Sequence, residues 1–128
     1  MTSRLLQVTF DCHDPHRLAA FWAAVLGYRV IEDKGEHVEI ASWEPTVEAV
    51  RREPMPSTVM FIRVPEDKVV KNRVHMEVMP FDASQDDEVE RLIGLGARRI
   101  DIGQGEQSWV VMADPEDNEF CVLRSIAP

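Results

Sequence analysis

Polar and apolar residues alternate through Gln7-Val8-Thr9-Phe10-Asp11-Cys12, and again through Asn72-Arg73-Val74-His75-Met76-Glu77-Val78. A period of two predicts strands with unlike faces, because successive side chains leave a pleated strand on opposite sides. After the first strand the period changes. Leu18, Phe21, Trp22, Val25 and Leu26 recur at helical spacing and form one broad apolar stripe. Asp14-Pro15 suits the start of this helix and Gly27 its end. Asp caps unbonded backbone N–H groups, Pro fits the first helical position, and Gly takes the left-handed conformation that closes a helix. Tyr28 to Glu32 and His37 to Ser42 follow as short strands around Lys34-Gly35, and Thr58 to Val64 is apolar and β-branched enough for a fourth. Between them Trp43 to Ser57 is polar, holds Pro45, Pro54 and Pro56, and reads as the longest loop. A stretch of this kind serves as a binding loop about as often as a plain surface excursion.

The second half repeats the series. The strand around His75 precedes a capping-box-like Ser84-Gln85-Asp86-Asp87 and a helix whose buried stripe is Val89, Leu92 and Ile93. Arg98 to Ile102 continues as a strand, Gly103-Gln104-Gly105 turns the chain, and Trp109 to Met112 is another strand. Asp114-Pro115-Glu116-Asp117-Asn118 is a strong turn signal before a closing strand, Glu119 to Leu123. Leu26-Gly27 at the end of the first helix returns as Leu95-Gly96 in the second, roughly half a chain length later. Each half thus reads strand, helix, three strands, a tandem repeat of one supersecondary unit. Module one covers about residues 4–64 and module two about residues 72–125. The segment Pro65 to Lys71 between them is too short for a flexible linker, so one domain is expected, its halves sharing one sheet system.

Composition narrows the function classes without naming one. A chain of 128 residues buries a core without disulfide or metal staples. The formal charge of −9 argues against nucleic acid and anionic membrane as partners, because both require a basic footprint. No signal peptide or membrane-length apolar run is present, and two cysteines outside any CxxC pair fit a reducing cytoplasm.

The candidate chemistry sits on the polar faces of the strands. His75 interrupts a strand face as a general base, a ligand or a hydrogen-bonded structural histidine. Glu77 shares its face and could orient it, or stand as a rim carboxylate in water. Gln7 and Thr9 line the equivalent first strand, and Gln7 could meet a ligand carbonyl, a metal or only neighbouring backbone. Asp11 reads as turn or cap material. Trp22 and Phe21 belong to the core stripe, whereas Trp43 on the long loop and Trp109 at the start of its strand could wall an apolar pocket. Cys121 reads as a small buried hydrophobe unless a cation stands beside it, a role only His75 could fill. Arg63, Lys68, Lys71 and Arg73 gather at the module junction, as a solvated connector or a greeting surface for an anion. His13, His16 and His37 are scattered without convergent carboxylates and make no metal site.

The motifs Phe10-Asp11-Cys12 with Asp14-Pro15, Leu18-Ala19-Ala20-Phe21-Trp22, Leu26-Gly27-Tyr28, Asn72-Arg73-Val74-His75, Leu95-Gly96-Ala97, Trp109 to Pro115 and Asn118 to Leu123 span nearly the whole chain. In this order the chain resembles the vicinal-oxygen-chelate superfamily, which includes glyoxalases, bleomycin-resistance proteins and extradiol dioxygenases, and in particular its small glyoxalase-like branch. The resemblance implies an α+β fold of two tandem βαβββ modules, their mixed sheets curled around a shared cleft that holds a small organic molecule. In metal-dependent members a divalent ion joins it, held by the first and last strands of each module. Those positions fall on Gln7, near Ile62, on Arg73 or His75, and on Cys121, with Glu119 as a substitute if the last strand slips. Ile62 cannot ligate, Gln7 is weak and Cys121 is soft, so the usual site is expected to be degraded and absence of the metal is favoured. The resemblance therefore implies either a metal-free binder of an aromatic or antibiotic-like ligand, or a lyase, isomerase or dioxygenase-type enzyme using His75. A homodimer is also expected, from the family's habit and from the exposed sheet edges.

Overall fold

A computed structural model describes residues 2–128. Its contacts divide the chain into two compact units, Met1–Asp67 and Lys68–Pro128, with the boundary inside the expected connector. The first unit contains β1 (Gln7–Cys12), α1 (Pro15–Leu26), β2 (Arg29–Asp33), β3 (His37–Ala41), α2 (Val47–Arg52) and β4 (Thr58–Arg63). The second contains β5 (Met76–Val78), α3 (Gln85–Leu95), β6 (Arg98–Arg99), β7 (Val110–Ala113) and β8 (Glu119–Val122).

Each unit builds its own open four-stranded sheet, where the short connector suggested one shared sheet system. The orders are β1-β4-β3-β2 and β5-β8-β7-β6. In both, the opening strand pairs in parallel with the closing one and the remaining pairs are antiparallel. The fold is therefore α+β with two tandem βαβββ modules, and the repeat read from the two Leu-Gly pairs is a repeat of topology.

The local causes are visible at the helix ends. The Asp14 carboxylate accepts from Arg17 N at 3.1 Å, Pro15 occupies the first turn, and Gly27 closes α1 at φ 68°. Leu18, Phe21 and Trp22 are buried against the first sheet, where Phe10 meets Trp22 edge-on at 5.9 Å and Phe61 at 5.5 Å. Burying each such side chain stabilises the fold by roughly 1.5–3 kcal/mol. Because Phe10 faces α1, the alternating Gln7, Thr9 and Asp11 point from the opposite side of the sheet. In the second unit Ser84 Oγ accepts from Asp87 N at 3.1 Å, and Val89 and Leu92 are buried. Ile93, expected in that stripe, lies on its flank and is exposed.

Three element boundaries depart from the sequence reading. The long loop 43–57 contains the short helix α2, capped by Thr46 Oγ1 on Ala49 N at 3.1 Å and laced by Arg52–Glu48 at 3.2 Å. It buries none of its residues, so no apolar stripe announced it. Its prolines bracket the helix instead of abolishing it. The strand expected over 72–78 shortens to Met76–Val78, because Asn72 hydrogen-bonds to the Glu119 and Asn118 side chains in place of a ladder partner. The strand expected over 98–102 shortens to Arg98–Arg99. Beyond it the Ile102 and Gly103 N–H groups turn to the side chains of Gln104 and Asp101. Among the described residues no helix is long and apolar enough to cross a membrane.

Candidate functional site

In the second unit, parallel pairing of β5 with β8 sets Glu77 directly opposite Cys121, and β7 sets Val111 on the other side of Cys121. His75 stands two residues before Glu77, on the same face by alternation, at the mouth of the strand. One ligating atom each from His75, Glu77 and Cys121 lie within 4.8 Å of one another. His75 Nε2 is 3.5 Å from Glu77 Oε2, beyond an ordinary hydrogen bond but close enough for ionic attraction when the imidazole is protonated. The imidazole and the carboxylate are exposed, while Cys121 is 5% exposed. Burial pushes the Cys121 thiol above its usual range, the Glu77 charge pushes it further, and Lys71 opposes both. At rest this sulfur is a thiol, not a poised thiolate.

The entry to this site is tied down. Lys68 Nζ donates to Glu119 Oε1 at 2.9 Å and to Val70 O at 2.8 Å, and Asn72 N donates to Glu119 Oε2 at 3.2 Å. Asn72 Nδ2 donates to Asn118 Oδ1 at 2.8 Å. Burial alone would raise the Glu119 carboxyl, but the Lys68 ammonium and the backbone donors hold it below its ordinary value. Glu119, the substitute metal ligand suggested by the resemblance, ties down the chain leading to His75 through these bonds. Arg73 lies exposed on that lead-in.

The same unit holds a cavity of about 450 Å³ lined by Arg99, Ile100, Gln104 to Gln107, Trp109, Val110 and Val111. One lining residue, Val111, is Cys121's register partner on the adjacent strand. Trp109 is 37% exposed, so part of its ring faces outward. Trp43, the other tryptophan offered as a wall, donates its indole N–H to Pro56 O at 2.7 Å and pins the loop carrying α2.

The first unit places Gln7 beside Thr58 on the sheet face away from α1. Its amide Nε2 donates to Glu39 Oε2 at 2.9 Å and Thr58 Oγ1 at 3.2 Å, and Thr9 Oγ1 donates to its oxygen at 3.4 Å. Gln7 and Thr9 are thus part of a polar network in which Glu39 is the residue the sequence reading missed. The alternation His37-Val38-Glu39 was its only signal. Ile62 stays an apolar side chain in β4, unable to ligate. His13 bonds to Glu66 O and pairs with Asp67, and His16 pairs with Asp33, so neither joins a wider donor cluster among the described residues.

Could these residues hold the divalent ion that the fold implies? An oxygen-rich site for a hard ion does not fit. Within the second unit Glu119 is held by Lys68, and the remaining three donors are an imidazole, a carboxylate and a thiol. Nitrogen, oxygen and sulfur together suit a borderline ion. Glu77, first read as a rim carboxylate, is the donor that completes this trio.

Comparison with solved structures supports the same fold at low identity. A glyoxalase/bleomycin resistance protein/dioxygenase family enzyme from Burkholderia phytofirmans PsJN is 16% identical with a TM-score of 0.61, over 97% of this chain and 99% of that one. The fosfomycin resistance protein FosX from Mesorhizobium loti is 17% identical with a TM-score of 0.62, over 96% and 92%. A mutant of the FosX of Listeria monocytogenes, solved with Mn(II) and 1S,2S-dihydroxypropylphosphonic acid, is 15% identical with a TM-score of 0.62, over 100% and 93%. No curated protein matches the chain. The model of the glyoxalase-like domain family matches residues 7–123, nearly the whole repeat. The chain therefore belongs to the glyoxalase-like domain family.

Proposed function

We propose that the protein binds a small organic molecule at the second module's open sheet face, against His75, Glu77 and Cys121 and the neighbouring wall of Trp109. The observation that carries this reading is a cavity of about 450 Å³ in the same module, lined by Trp109 and by Val111, the register partner of Cys121. Its volume lies within the range of small-molecule pockets, roughly 300–1,000 Å³. The indole offers a stacking surface, Arg99 and Gln104 offer polar contacts, and the net charge of −9 favours cationic over anionic compounds at long range. The buried thiols of Cys12 and Cys121 are consistent with a reducing cytoplasm as its setting.

A thermal-shift screen of aromatic, cationic and phosphonate compounds tests it, the last group included because two structural neighbours are fosfomycin resistance proteins. Hits should weaken by about tenfold or more, about 1.4 kcal/mol, in His75→Ala or Trp109→Ala. A screen without hits, or hits indifferent to both substitutions, removes the proposal.

A second reading is a metal-dependent lyase, isomerase or dioxygenase-type enzyme in which His75 is a ligand or a general base. The three clustered donor atoms favour it. Metal analysis of protein purified without chelator separates the two readings. A stoichiometric divalent ion that His75→Ala abolishes supports the enzyme, and none leaves binding alone.

A further inference from the structure

We infer that the cavity at the β6–β7 edge of the second module takes an amino-acid-like zwitterion with an aromatic ring, its carboxylate on Arg99, its ammonium on Glu106 and its ring on Trp109. The inference rests on the small-molecule reading above in taking the Trp109 wall as a ligand surface. It goes further in naming the two charged groups that hold the ligand's head, and so its chemical class.

Arg99 and Glu106 line one cavity, yet neither side chain makes an ion pair or a hydrogen bond among the described residues. The adjacent arginine gives the contrast, since Arg98 Nη1 is held by Asp117 Oδ1 at 2.7 Å. Opposite charges that share a cavity without closing on each other leave a guanidinium fork and a carboxylate acceptor for a guest. Trp109 and Val111, just before and within β7, add apolar surface to the same cavity. The loop that carries Glu106 is set before any ligand arrives. Ile102 N donates to Gln104 Oε1 at 2.8 Å, Gly103 N to Asp101 Oδ1 at 2.7 Å, and Gln107 Nε2 to Gln104 O at 2.9 Å. Gln85, from the first turn of α3, donates to Ser108 O at 2.9 Å. Gly103 at φ 85° and Gly105 at φ 66° supply the left-handed positions on which the loop bends. A loop ordered by its own side chains gives up little entropy when it binds.

Charge then selects the class. The net charge of −9 opposes a purely anionic ligand at long range, the kind that Arg99 alone would call for. A purely cationic ligand would meet the like charge of the Arg99 guanidinium. A zwitterion carries no net charge, so it escapes both penalties and satisfies both side chains. The partly exposed indole of Trp109 favours a guest that also offers a ring, because aromatic pairs gain more than their buried area alone accounts for.

Calorimetric titration of the full chain with L-phenylalanine, L-tyrosine and L-tryptophan tests this without any assay of activity. At least one should bind at one equivalent. Hydrocinnamate keeps the ring and the carboxylate, and phenethylamine keeps the ring and the ammonium. Each should bind about tenfold or more weakly than L-phenylalanine, the cost of one lost charge-assisted contact. Arg99→Met should bring L-phenylalanine down to the level of phenethylamine, and Glu106→Gln down to that of hydrocinnamate. Both positions are exposed, so melting curves of the two variants should match that of the parent. Binding of L-phenylalanine that ignores both substitutions, or equal binding of the zwitterion and its two fragments, overturns the inference. So does silence with all three amino acids. If other compounds then still bind and respond to His75→Ala or Trp109→Ala, the small-molecule reading stands without this one. If no compound of any charge binds, both fall.

Discussion

Asp114 shows what one side chain contributes. It is fully buried, and its carboxylate accepts from Glu116 N at 2.9 Å, Asn118 N at 3.0 Å and Asn118 Nδ2 at 2.9 Å. Asp114→Ala strands these donors around the turn that starts β8, so stability should fall by about 2–4 kcal/mol in urea denaturation. A loss below about 1 kcal/mol would mean that water replaces the carboxylate. Asp33 is a milder case on an exposed surface. The Gly35 N–H, and next the His16 imidazole at 2.9 Å, hold its carboxyl below the usual value. A depressed folded pKa means its contribution is complete above the unfolded value, about 3.9, and disappears as pH falls through the folded one. Asp33→Asn should therefore flatten the loss of stability at pH values below about 4 in acid-denaturation curves. At this scale the sequence was a good guide to caps and turns, because Asp14, Ser84 and Asp114 act on backbone within a few residues. It was a poor guide to the surroundings of Glu119, whose partners Lys68 and Asn72 lie more than 40 residues away, and of Glu77, whose register partner Cys121 is as distant.

The elements are stopped by two glycines of unequal strictness. Gly27 closes α1 at φ 68°, and a Cβ there would meet nothing within 4 Å. Gly96 closes α3 at φ 120°, and a Cβ there would lie 3.4 Å from Pro115 Cγ. Gly27→Ala should cost only the backbone penalty of about 1–2 kcal/mol. Gly96→Ala should cost more, since φ 120° lies outside the region that alanine tolerates and Pro115 must also give way. Paired melting curves of the two variants check the order. Periodicity announced eight of the eleven elements closely, but it overran β5 and β6 and missed α2. The cause is the same in each case. Side chains of Asn72, Asp101, Gln104 and Thr46 divert the backbone, and a hydrophobic pattern carries no record of them.

For the molecule as a whole, we propose a homodimer. Each of the two open sheets ends in unpaired edge strands, and Val69, Val70, Val74 and Phe81 in the second unit are all at least 70% exposed. Light scattering should give twice 14.6 kDa, and a monomer mass refutes the expectation. The chain alone determined the duplicated strand-helix-strand plan, since alternation, amphipathic stripes and Gly stops act over a few residues and recur in both halves. It also marked His75 and Cys121 as residues of interest. Only the tertiary structure decided that Glu77 stands within reach of both, that Glu119 pairs with Lys68 and Gln7 with Glu39, and that Trp109 lines a cavity. Those outcomes depend on which strands pair and in what register, a choice settled by contacts between residues far apart in the chain.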